Sequence, residues 1–120
     1  ICLAAPAPAQ DIDCANATVQ MELNLCAERD WSLADAELNR VYSRVMQDMK
    51  AMDQTLEPHL QGAAVTLRDA QRAWIAFRDA NCKLAGFPMR GGSAEPLLIY
   101  GCLRQMTVDR TADFQALGAY

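Results

Sequence analysis

The sequence predicts an all-α domain, a small antiparallel three-helix bundle with one long first helix, stapled by disulfides at one end. Three observations carry that prediction. Residues 18 to about 53 contain neither proline nor glycine, two later segments repeat apolar residues at helical spacing, and the cysteines fall near the expected helix ends. With 120 residues the chain has the size of one domain. Hydrophobic residues make up 52% and charged residues 22%, a balance too apolar for disorder. No run approaches the roughly 18 to 20 apolar residues of a membrane span.

The first helix is read from "TVQMELNLCAERDWSLADAELNRVYSRVMQDMKAMD", where Leu38, Val41, Tyr42, Val45, Met46 and Met49 recur on one face. Thr18 is its expected N-cap. Pro58 and Gly62 mark a break. The second helix, "AAVTLRDAQRAWIAFRDANCKLAG", follows through Leu67, Ala70, Trp74, Phe77 and Asn81 and ends at Gly86 as C-cap. A loop, "CKLAGFPMRGGSAEP", interrupts the pattern. Ser93 and Pro96 then announce a third helix through Ile99, Cys102, Met106, Arg110, Phe114 and Leu117. Short connections make the three helices antiparallel neighbours.

The opening residues "ICLAAPAPAQD" resemble the end of a secretory signal, with Ala7 and Ala9 in the A-x-A arrangement of a cleavage site. Residues 1–9 are therefore expected to be a signal-peptide remnant and residues 10–120 the domain. Cys2 as a lipid-attachment site is disfavoured by the bulky Ile1 before it. Removal of residues 1–9 leaves Cys14, Cys26, Cys82 and Cys102, an even set suited to an oxidising, periplasmic or secreted setting. The rise of about 1.5 Å per helical residue puts Cys82 and Cys102 at similar height. That favours Cys82 to Cys102 and Cys14 to Cys26, while crossed pairings stay open, because sequence does not fix connectivity. A bridge closing about 20 residues contributes about 3 kcal/mol in the chain-entropy picture.

The net charge of -4 and pI near 4.8 come with scattered lysines and arginines, so there is no footprint for nucleic acid, and a basic protein partner, or none, fits better. The single His59, beside Pro58, is remote from any serine or cysteine it would have to activate. No C-x-x-C pair suggests a metal site. Asp30, Asp35, Glu37, Asp79 and Asp109 read as a solvated helical surface rather than a glycosidase pair, and "RGGS" lacks the setting of a nucleotide loop. A non-enzymatic protein without cofactor or metal is expected. Trp74, Phe77 and Tyr42 are expected in the core. Asp35, Asn39, Arg78, Asp79 and Arg110 abut the apolar stripes and read as a structural hydrogen-bonding network, with Tyr42, Gln71 and Trp74 among its members.

Taken together, "TVQMELNLC", "ADAELNRVY", "AQRAWIAFRDANC", "GGS" and "CLRQMTVDRTADF" resemble the LprI-like family, named for a lysozyme inhibitor, over residues 14 to 117. The matching positions are Thr18, Met21, Cys26, Asp35, Leu38, Asn39, Tyr42, Gln71, Trp74, Arg78, Asp79, Cys82, Gly92, Ser93, Cys102, Thr107 and Arg110. The resemblance implies a protein-binding domain, with lysozyme inhibition as the activity of the namesake. Animal-type lysozymes are basic and work with two carboxylates in a cleft, so an acidic body and a loop carrying donors suit them. In that reading Phe87, Pro88 and Met89 form an apolar shoulder, Arg90 pairs with a catalytic carboxylate, and Gly91, Gly92 and Ser93 permit close approach. The plainer reading has the glycines shape a turn, Ser93 cap the third helix and Arg90 stay solvated. An envelope structural or stress-related interaction module is the alternative to c-type lysozyme binding.

Overall fold

The computed structural model describes residues 12–117; the expected signal remnant, residues 1–9, lies outside them. Three helices make up the described part, α1 (Gln20–Thr55), α2 (Ala63–Ala85) and α3 (Glu95–Leu117), with short 3-10 turns at Cys14–Asn16, Pro58–Leu60 and Phe87–Met89. The described residues contain no strand. The all-α bundle with a long first helix is thus the observed architecture.

Local sequence accounts for the helix ends, with one correction. Val19, not Thr18, occupies the N-cap of α1, and no side chain caps it; Glu22 in the first turn faces the positive end of the helix dipole instead. At the other end Leu56 turns extended at ψ 148°, and so does Glu57, the residue directly before Pro58, at ψ 149°. The start of α2 is capped from a distance by Asp53, near the end of α1. Its carboxylate accepts from the backbone N–H of Gly62 at 2.9 Å, Ala63 at 2.8 Å and Ala64 at 3.1 Å, which satisfies donors that a helix N-terminus leaves orphaned. Those three bonds, Gly62 first, hold the Asp53 carboxyl below its ordinary range. Gly86 does close α2, yet in right-handed backbone at φ -79°. Glycine is needed there for space, since a Cβ would lie 2.7 Å from Ile99 Cγ1. Pro96, second in α3, sits where a helix needs no N–H.

The chain runs up, down and up, so α1 and α3 are parallel and α2 opposes both. Asn24 meets Ser93, Trp31 meets Tyr100 and Tyr42 meets Phe114, contacts that advance in the same direction along both chains and so place α1 and α3 in parallel. Leu38, Val41, Val45, Leu67 and Phe114 form the buried core, with Tyr42, Met46, Met49 and Trp74 packed against it. Burying a side chain such as Phe114 contributes about 1.5 to 3 kcal/mol. Both favoured disulfides are present, Cys14 to Cys26 and Cys82 to Cys102, with Cα separations of 5.8 and 5.3 Å.

The stripes of α2 and α3 are rotated from the expected ones. Phe77 is 60% exposed rather than in the core; Ala70 and Leu117 are exposed as well. The buried positions are Leu67, Gln71, Arg78 and Cys82 on α2, and Leu103, Thr107, Thr111 and Phe114 on α3. Each of these helices touches two neighbours, so its inward face admits polar side chains that an apolar count passes over.

Candidate functional site

The interior is ordered by two arginines stacked between aromatic rings. Arg78, on α2, has a side chain only 8% exposed. Its Nε donates to Asp79 at 3.0 Å, and its Nη1 donates to Asp35 Oδ1 and to the Thr107 hydroxyl, each at 3.3 Å. Its guanidinium lies 5.7 Å from the Trp31 ring and 5.1 Å from the Trp74 ring. On the other side of Trp74, Arg110 sits 5.5 Å from that ring and 4.4 Å from the Phe114 ring, while its Nε donates to Gln71 at 3.1 Å. Burial pulls the Arg110 guanidinium below its ordinary range and Asp113 opposes that pull. Tyr100 against Trp31 and Tyr42 against Phe114, each at 5.9 Å, extend the stack at both ends. All three helices contribute to it. Each cation over a ring contributes about 0.5 to 2 kcal/mol.

Of the network read from sequence, Asp35, Tyr42, Gln71, Trp74, Arg78, Asp79 and Arg110 meet in this stack. Asn39 does not. It is exposed on α1, at the flank of the line that carries Asp35, Leu38 and Tyr42, and among the described residues it holds no side-chain hydrogen bond. Thr107 and Tyr100 were outside the network read from sequence, and so was Trp31. Its surroundings, "ERDWSLAD", are polar, but the spacing Trp31, Asp35, Leu38, Tyr42, Val45 continues the heptad of the core and is the signal that reveals it. The Trp31 Nε1 is buried without an acceptor.

The loop after α2 lies at the stapled end of the bundle. The Cys82–Cys102 bridge closes its base, and the Cys14–Cys26 bridge holds the chain before α1 against that helix. Asn24 ties the two together, donating from Nδ2 to the Ser93 carbonyl at 2.8 Å while its Oδ1 accepts from Gln20 at 2.8 Å. Ser93 therefore serves through its carbonyl, and its hydroxyl makes no capping bond to α3, contrary to the sequence expectation. Gly91, at φ 79°, takes the left-handed turn that glycine favours. Arg90 is held rather than free, with Nη1 3.1 Å from Glu95 Oε2 and its guanidinium 5.0 Å from the Phe87 ring. Phe87, Met89, Arg90, Gly91, Gly92 and Ser93 are all exposed. Beside the loop, Trp31, Tyr100, Ile99 and Leu103 wall an open groove of about 520 Å³ rimmed by Asp79, Lys83 and Glu95. Among the described residues no group of three or more His, Cys, Asp or Glu side chains is placed to hold a metal ion, and no helix is long and apolar enough to cross a membrane.

Fold and site define a class: small helical domains, stapled at one end by disulfides, with an arginine-aromatic interior and an ordered, exposed loop. The chain belongs to the LprI family, described as lysozyme inhibitor LprI, whose family model matches residues 13–114. An uncharacterized protein of Rhizobium meliloti is 48% identical over 122 residues, covering 98% of this chain and 88% of the relative. The uncharacterized protein YecT of Escherichia coli is 31% identical over 61 residues, 49% of this chain and 37% of that protein. A crystal structure of a DUF1311 family protein from Pseudomonas putida shares the fold, with a TM-score of 0.71 at 23% identity, over 85% of this chain and 95% of the other.

Proposed function

We propose that this chain is a non-enzymatic protein-binding domain of the periplasm or secreted space that inhibits c-type lysozyme through the loop between α2 and α3. The observation that carries the reading, beside family membership, is the pre-ordered loop: Phe87 and Met89 stand 54% and 44% exposed on a base fixed by a disulfide and by Asn24. A loop ordered before contact loses little conformational freedom on binding. The acidic body, at net charge -4, favours encounter with a basic enzyme. Arg90 presents a guanidinium whose side chain is 64% exposed, although Glu95 already holds one of its nitrogens.

The competing reading is an envelope structural or stress-related interaction module without lysozyme activity. It draws on large apolar residues exposed on the helix faces, such as Leu33 at 66% and Leu84 at 67%. Calorimetric titration of the oxidised protein against c-type lysozyme at low and high salt, with a lysis assay alongside, separates the two. Inhibition predicts salt-sensitive binding of about micromolar affinity or tighter together with loss of lysis. Absence of binding at both salt concentrations leaves the interaction module.

A further inference from the structure

The outer face of α2 carries an apolar line that no other element among the described residues covers. Ala73, Phe77, Ala80 and Leu84 succeed one another at intervals of four, three and four residues, the spacing of a two-helix seam. All four are exposed, Phe77 by 60% and Leu84 by 67%. The line is separate from the inward face of Leu67, Gln71, Arg78 and Cys82, and it accounts for the aromatic that the sequence had placed in the core.

The charges beside the line say what fits it. Along one flank lie Asp69 and Lys83, opposite in sign and both exposed, with Arg68 3.4 Å from the Asp69 carboxylate. Set a second α2 against the first in the opposite direction, about an axis at the level of Ala76 and Phe77. Asp69 of each copy then meets Lys83 of the other. In the same register Ala73 faces Ala80, Ala70 faces Leu84 and the two Phe77 rings meet at the axis. In an antiparallel pair of helices, residues at equivalent flanking positions approach each other, and Asp69 and Lys83 are two heptads apart at such positions. The helix is thus complementary to its own reverse in charge and in side-chain size.

We propose that two copies of this chain associate through the outer face of α2 in an antiparallel, two-fold arrangement. The surface is self-complementary, as a two-fold interface requires. The seam from Ala70 to Leu84 is short, about 21 Å at 1.5 Å per residue, so association belongs in the micromolar range or weaker and is reversible.

Sedimentation velocity of the oxidised protein from micromolar to near-millimolar concentration tests the arrangement, with circular dichroism as the check on folding. The wild type should shift from monomer to dimer across the series. Phe77→Glu, at an exposed position, should weaken the dimer on the order of tenfold or more with the helical signal kept. Lys83→Asp should weaken it a few-fold by setting like charges against each other at both ends, and the double exchange Asp69→Lys with Lys83→Asp should restore it. A monomer at every concentration, a dimer indifferent to Phe77→Glu, or a double exchange that fails to restore association would each overturn the proposal.

Discussion

At the level of single residues, Arg78 does most to join the three helices, since it is the group that α1, α2 and α3 all contact. Removing it withdraws a cation from two tryptophan faces and leaves Asp35, Asp79 and Thr107 without their donor. Breaking a buried ion pair costs about 3 to 5 kcal/mol, but Asp35 and Asp79 are 37% and 57% exposed and regain water, which brings the expected loss for Arg78→Ala to about 2 to 3 kcal/mol. Arg78→Met keeps the stem between the rings and should lose less. Urea denaturation of both variants checks the order; equal losses would mean that packing of the stem contributes nothing. Asp53 acts at the same scale through backbone rather than side chains. Because its folded value is depressed, the stability it contributes is present above the ordinary value of 3.8 and is lost as pH falls through the depressed one. Asp53→Asn should therefore melt below the wild type at neutral pH, and the two melting temperatures should converge between about pH 5 and pH 2. A constant gap through that interval would assign the cap to another group.

At the level of elements, the sequence reading succeeded where apolar spacing and punctuation agree and failed where polar residues turn inward. The long α1 was legible because nothing in it breaks a helix and its heptad is apolar from Leu38 onward. Gly86 and Pro96 marked the loop, and helix rise favoured the Cys82–Cys102 bridge while leaving crossed pairings open. The rotation of α2 was not legible. Its alanines make two faces equally apolar, and the face that packs inward is chosen by Gln71 and Arg78, whose partners Arg110, Asp35 and Thr107 come from other helices. The same holds for α3, where Thr107 is fully buried because Arg78 donates to its hydroxyl. Trp31 and the clasp of Arg90 on Glu95 belong to this class too, since both depend on neighbours brought close by the fold.

At the level of the molecule, the account is of a rigid acidic bundle that presents one loop from its stapled end. The clasp of Arg90 decides how that loop is to be probed. Arg90→Glu would set a second carboxylate against Glu95 and disturb the turn itself, so loss of binding in that variant would carry no information about contact. Met89 is 44% exposed and makes no side-chain hydrogen bond, which leaves the turn intact when it is changed. The affinity of Met89→Asp for c-type lysozyme, measured beside a matched change at an exposed site far from the loop, Met52→Asp, and with melting temperatures recorded for both, decides whether the loop makes the contact. Met89→Asp should bind on the order of tenfold more weakly with its melting temperature unaltered, and Met52→Asp should bind as the wild type does. Equal affinity in all three proteins, or equal loss in the two variants, would contradict a role for this loop in lysozyme recognition.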